Sequence, residues 1–498
     1  MDRPLARRLL LVALAIGVLA DLLLDGPALG INVVVLDAAI LAAGWRFRRR
    51  GRAPDPADAW LPLAALVLAA WVAVRADPFL GLVDAAAAAA FTGASLAAFS
   101  GLAVTRRSAS IVVAMGAWVV VAAVAGAGPV VRRARRPGDA APRRLPAWLA
   151  PLVRGLFLAI PLVTIFAVLF ASADPIFRRG LDDLLGLRID LGTVPGRVLF
   201  ILSGTWATAG LLGVAAGGIP PLETASLGAA AWTPPIAADR ELGTAEAVVI
   251  LAAVDIVVGL FVALQAAYLF GGLDTMAAAG LTYSEYARRG YFELVAAAGL
   301  AGGLLIGLEY AIGRRSRSYV ALGAGLVVLT ILVLASAALR LQLYQDAYGW
   351  TELRLYVAAS IATMAVTLAV FAVFLVMNRT RWLGHVMAVV GLGALIGLNI
   401  LAPASFVAQR NLDRVIDPRL VPADGWRGLD TVYLAGLPDD AVPVLVEALP
   451  RLSPGHAFSV RRVLAARATE LAADPAFAGP AAWNLGRDRA RAALANLP

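Results

Sequence analysis

The chain has 498 residues, 60% hydrophobic and only 15% charged, with a formal charge of +9 and no cysteine. Soluble domains run about 45–50% apolar and about 25% charged, so this composition excludes an ordinary soluble enzyme. The missing thiols exclude disulfides, thiol catalysis and cysteine-bound metals. Every basic residue apart from His385 and His456 is arginine. The positive surplus sits in short loops between apolar runs, where it marks sidedness in a membrane rather than a nucleic-acid surface.

In chain order the apolar runs are Leu9–Leu24, Leu29–Ala43, Ala59–Val74, Phe79–Leu102, Ile111–Val131, Leu152–Ser172, Leu191–Gly217, Ala245–Leu269, Phe292–Ile312, Val320–Leu341, Leu353–Val376 and Leu383–Leu401. Roughly 20 apolar residues cross a bilayer as a helix. The runs are continuous rather than alternating, which rules out a transmembrane barrel. The expected fold is all-α: a polytopic helical membrane protein with about 11–12 transmembrane helices and a small C-terminal helical domain. The expected organisation is N-terminal spans over 1–131, a basic cytoplasmic loop over 132–150, a main transmembrane domain over 151–403 and a soluble helical tail over 404–498. The first run is read as a retained helix, since no small-residue cleavage site follows it.

Arginine placement gives the orientation. Arg132, Arg133, Arg135, Arg136, Arg143 and Arg144 occupy one loop, Arg314, Arg315 and Arg317 a second, Arg379 and Arg381 a third. They share a side, the cytoplasm, if each run after residue 150 crosses once. That places 173–190, 272–290, 344–352 and the tail outside. Arg3, Arg7 and Arg8, then Arg46, Arg48, Arg49, Arg50 and Arg52, then Arg106 and Arg107, also argue for the inside. One crossing by Ile111–Val131 would then put the six-arginine loop on the wrong side. Either that run is re-entrant or broken, or the tail is cytoplasmic and the later arginines mislead.

Asp174 and Pro175 open an amphipathic stretch to residue 189, with Phe177, Leu181, Leu184 and Leu185 at helical spacing, expected to lie in the membrane plane. Thr282-x-x-Glu285 is a capping box, so a helix enters the membrane there with Glu285, Arg289 and Glu293 at i, i+4, i+8. Arg340, Tyr344 and Tyr348 repeat that spacing; Thr351 is an N-cap and Glu352 lies in the first turn, where the helix dipole favours an acid. With both stretches at one face, Glu285, Arg289, Glu293, Arg340, Asp346, Glu352 and Arg354 form a candidate polar cluster: an ion-pair network holding helix ends, or a ligand site. Asp255, in the middle of its run, is either a packing residue or a proton or cation site.

In the tail, Asp430 is expected to cap a short helix, Asp440 another with Val442, Leu445, Val446 and Leu449 on one face, and Ser453–Pro454 to open a third with Val460, Val463, Leu464 and Leu471 on its buried face. About 100 residues build a limited core, so the tail is expected to lean on the spans. The two histidines are far apart, neither in a metal-ligand pattern, and no phosphate-binding loop or dinucleotide fingerprint appears. No metal and no cofactor are expected. Gly323–Gly325 and Gly391–Gly393 read as helix-packing surfaces.

Ser172-Ala173-Asp174-Pro175-Ile176-Phe177, Glu285 to Leu294, Tyr348-Gly349-Trp350-Thr351-Glu352-Leu353-Arg354, Arg410-Asn411-Leu412-Asp413-Arg414, Asp440-Ala441-Val442-Pro443 and Trp483-Asn484 together resemble the bacterial membrane proteins grouped as domain of unknown function 4173, close to group 4153. The resemblance implies a multi-pass protein of the bacterial plasma membrane and no particular activity. The sequence favours a non-enzymatic envelope accessory, sensor or scaffold, with the bilayer and envelope proteins as partners. The alternative is a transporter of a small or lipid-like solute using Asp255 and the polar cluster. A membrane-embedded enzyme ranks last, since no nucleophile–base pair or metal set accompanies the acids.

Overall fold

The computed structural model describes residues 2–49, 53–105, 127–134, 194–217, 244–270, 291–312, 315–379, 382–423, 425–495 and 497. They are helical, with no β-strand among them. The helices of the membrane part are α1 (Arg3–Leu24), α2 (Ile31–Phe47), α3 (Leu61–Val74), α4 (Pro78–Phe99), the short α5 (Ala127–Ala134), α6 (Val194–Ala215), α7 (Thr244–Phe270), α8 (Tyr291–Ala311), α9 (Arg317–Tyr348), α10 (Glu352–Val376) and α11 (Leu383–Leu401). Six segments among the described residues are long and apolar enough to cross a membrane. The protein is a polytopic helical membrane protein. The run expected at Leu152–Ser172, the in-plane stretch near 174–189 and the capping box at Thr282 lie outside the described residues.

Two faces organise the bundle. At one, Arg7 Nε donates to the Ala134 carbonyl at 2.9 Å, Arg49 N–H to the Ala215 carbonyl at 3.0 Å, and the buried Asp58 carboxylate accepts both Val104 N–H and Thr105 N–H. Arg315 pairs with Glu309, joining the end of α8 to the start of α9. This arginine face therefore gathers the start of α1, the ends of α2, α4, α6 and α8, and α5. Thr105 and Ala134, on either side of residues 106–126, both lie at it. Helix α7 runs parallel to α9, since Asp255 meets Gly325 and Gly259 meets Leu329, four residues further along each.

The opposite face carries the tail: α12 (Pro403–Ile416), α13 (Thr431–Ala435), α14 (Val442–Ala448), α15 (Pro454–Ala473) and α16 (Leu485–Ala495). Its core joins Val407, Leu412, Leu434, Leu445, Val460 and Leu464, and it takes in Leu355 from α10. Asp430 Oδ1 accepts Tyr433 N–H at 2.9 Å and caps α13 as its spacing requires. Asp440 caps nothing in its own chain segment. It lies in a 3₁₀ turn before α14, whose N-cap is Ala441 with no side-chain bond, and its carboxylate is directed into the spans.

Candidate functional site at the junction of tail and spans

A helix leaves its first four N–H groups and last four carbonyls without intrahelical partners, and a buried unpaired group costs about 1–3 kcal/mol. At the tail face these ends are met by tail side chains. Asn484, 1% exposed, donates from Nδ2 to the Val72 and Arg75 carbonyls at the end of α3, at 2.9 and 2.7 Å. The Trp483 carbonyl accepts Ile31 N–H at the start of α2 at 2.9 Å, and Arg487 donates to Leu29 at 2.8 Å. Arg414 donates to the Asp346, Ala347 and Trp426 carbonyls, closing the end of α9. Asn411 exchanges two bonds of 2.9 Å with the Trp350 backbone. The Tyr433 hydroxyl accepts Glu352 N–H at 2.8 Å at the start of α10.

An acidic knot lies in the middle. Asp77, 3% exposed, caps α4 by accepting Leu80 N–H through Oδ1 at 2.9 Å, and its Oδ2 accepts the Tyr356 hydroxyl proton at 2.6 Å. Glu352, one helical turn before Tyr356, lies beside Asp77, and its Oε1 is buried without a hydrogen-bond partner. Asp440 accepts Ala76 N–H at 2.9 Å. Burial raises the Asp440 carboxyl to about 6, against the opposing pull of that N–H and of Arg75. Burial in turn lowers the Arg75 guanidinium, which donates to the Asn399 carbonyl at 2.7 Å. Asn399 and Asp84, both fully buried between α11 and α4, are bonded at 2.9 and 3.1 Å. Gly486 permits the close approach: a Cβ there would stand 2.3 Å from Asp440 Oδ1.

The sequence-derived cluster is distributed differently. Glu285 and Arg289 lie outside the described residues, as does the side chain of Glu293. Arg354 stacks on Tyr344 at 4.0 Å and donates to the Gly349 carbonyl at 2.6 Å. Asp346 lies beside Arg414, and Arg340 is half-buried on α9. Glu352 turns away toward Asp77, because residues two apart on a helix face opposite sides. Arg354 also lines a small cavity of about 140 Å³ with Asn411, Trp426 and Tyr433. Asp255 is half-buried against Gly325, and its Oδ1 has no hydrogen-bond partner. Among the described residues no cluster of three acids or histidines has metal-binding geometry. Sequence reasoning did not single out Asp77, Tyr356, Asn399 or Arg75, and it misassigned Asp440. The available signals were the three-residue Arg75-Ala76-Asp77 linker before a helix-starting proline and an asparagine inside an apolar run.

A cavity of about 930 Å³ opens among α4, α8, α10 and α11, with Phe79, Gly302, Tyr356, Phe371, Gly391 and Leu395 in its wall. Gly391 thus faces open space rather than a packed helix, whereas Gly323 packs against Leu375 as expected. The hydroxyls of Ser360, Thr363 and Thr367 donate to carbonyls of their own helix, so the wall is apolar.

Comparison with known proteins gives one family. The model described as Domain of unknown function (DUF4153) matches residues 63–448, from α3 through α14, and so crosses from the spans into the tail. Group 4173 is not shown by that match. No curated protein and no solved structure matches.

Proposed function

The chain belongs to the family described as Domain of unknown function (DUF4153), and from that premise we propose that it is a multi-pass protein of the bacterial plasma membrane that acts as a non-enzymatic scaffold, with its tail on the outer face. The observation that carries this reading is the docking of the tail. Its side chains bond the ends of α3, α9 and α10 and its Trp483 carbonyl the start of α2, which fixes a soluble surface rigidly to the bundle. That surface presents Val432 at 83% and Phe458 at 65% exposure, apolar residues suited to a protein partner. The opposite face holds Arg3, Arg7, Arg8, Arg46, Arg48, Arg49, Arg132 and Arg133, the arrangement expected of a cytoplasmic side.

A tail-fused reporter active only in the cytoplasm should stay silent, and activity would reverse the orientation. The scaffold reading predicts a stoichiometric envelope partner that co-purifies from native membranes and is lost with Val432→Asp/Phe458→Asp. Unchanged co-purification in that variant would count against it.

One observation favours a second reading, the handling of a lipid-like solute: the apolar cavity of about 930 Å³, within the usual range of ligand pockets. Gly302→Trp would project an indole into it and obstruct it. Loss of lipid exchange in proteoliposomes, with melting unchanged, would support this reading over the scaffold. Asp255 and Arg354 lie outside the cavity wall, so the reading does not use them.

A further inference from the structure

The arginine face carries a second cavity, of about 890 Å³, where the first turns of α1 meet the ends of α2 and α6. Its wall is of two kinds. Leu5, Leu11, Val12, Ala43 and Phe47 make an apolar side, and Leu11 is 66% exposed on the outer surface of the bundle. Arg8, Arg46, Arg48 and Arg49 make a cationic rim. The rim is built rather than incidental. The Arg48 guanidinium stacks on Trp45 at 4.1 Å and donates to its carbonyl at 3.1 Å. Arg49 is pinned through its backbone N–H to Ala215, and its side chain lies across Gly217, whose φ of +63° suits glycine. Asp2 is the one carboxylate in the wall, and its Oδ1 already accepts Leu5 N–H at 3.1 Å. Among the described residues none of the four guanidinium groups is ion-paired with an acid.

We propose that this cavity binds an anionic phospholipid, with the phosphate held by Arg8, Arg46, Arg48 and Arg49 and an acyl chain laid along Leu5, Leu11 and Val12. A signal for membrane sidedness needs only positive charge near the bilayer. It does not need four cations converging on a pocket with an apolar wall that runs on to the lipid-facing side of α1. Basic pockets between spans at the bilayer boundary are a recurring way of holding phosphate head groups. The inference is independent of the scaffold reading and of the tail.

The test uses the full-length protein in neutral detergent, with bound lipid counted by native mass spectrometry across titrations of diphosphatidylglycerol, phosphatidylglycerol, phosphatidylcholine and inorganic phosphate. The two anionic lipids should bind and phosphatidylcholine should not. Arg8→Gln/Arg46→Gln should weaken binding by about thirtyfold, from the usual contribution of each arginine at a membrane surface. Arg8→Lys/Arg46→Lys should stay within a few-fold of the parent, which separates loss of charge from loss of fold. Arg379→Gln, on the same face but outside the cavity, should change nothing. An equal loss with Arg379→Gln would reduce the effect to diffuse surface attraction and overturn the proposal. So would retention of phosphatidylcholine, or phosphate alone binding as tightly as lipid.

Discussion

The two faces of the bundle solve the same problem in opposite ways. Both expose helix ends at a membrane boundary. On the tail face the ends are closed by single polar side chains reaching in from the tail: Asn484 to α3, Tyr433 to α10, Arg414 to α9. On the arginine face Arg8, Arg46, Arg48 and Arg49 are exposed around an open cavity. A buried amide or carbonyl needs a fixed partner, whereas a solvated arginine does not. The tail face should therefore fail when one bond is removed, and the four rim arginines should tolerate neutral substitutions with little loss of stability.

The largest effect is expected from Leu355, which α10 contributes to the tail core. Leu355→Ala should cost about 2–5 kcal/mol, read as an earlier melting transition together with protease cleavage of the tail. Asn484→Ala leaves the Val72 and Arg75 carbonyls buried without a donor, and about 2–4 kcal/mol should be lost. If melting and cleavage are unchanged in that variant, the tail does not close α3. Gly486→Ala forces a methyl against Asp440 and Ala76, and overpacking of this kind costs about 1–3 kcal/mol. On the other face, Arg46→Gln should shift melting by less than about 0.5 kcal/mol. A larger shift there would erase the contrast.

A further effect is a pH dependence. Burial raises the folded Asp440 carboxyl from 3.8 to about 6. A raised folded value means stabilisation that is complete below the unfolded value and fades as pH rises through the folded one. Protease protection of the tail should thus weaken from about pH 4 to about pH 6 and level off above, the range set by those two values, and Asp440→Asn should flatten the curve. Protection that strengthens over the same range would contradict the burial of this group.

Much of the bundle was legible in the sequence. Leu383–Leu401 and the end of the Leu353–Val376 run coincide with observed helix limits, since continuous apolarity reports a span directly. Thr351 and Asp430 cap as their local spacing implies. The junction was not legible, for a physical reason. Helical spacing groups residues that are neighbours on one helix, whereas the junction takes one polar residue from each of several segments. Tyr356 and Asp77 are 279 residues apart in the chain. Asp440 looks like a cap because an acid before a helix usually is one, yet its partner is Ala76 N–H, 364 residues away. The motifs Tyr348–Arg354, Arg410–Arg414, Asp440–Pro443 and Trp483–Asn484, which carried the family resemblance and no site assignment, all meet at this junction.

The central claim, a tail docked onto helix ends, is tested most directly by amide hydrogen exchange in the full-length protein. Ile31, Ala76 and Glu352 N–H each stand at or before the start of a helix, and each is bonded to a tail group. The docked tail predicts slow exchange at all three, and release of Ala76 in the Asn484→Ala variant. Exchange at the rate of an open loop in the parent protein would contradict it.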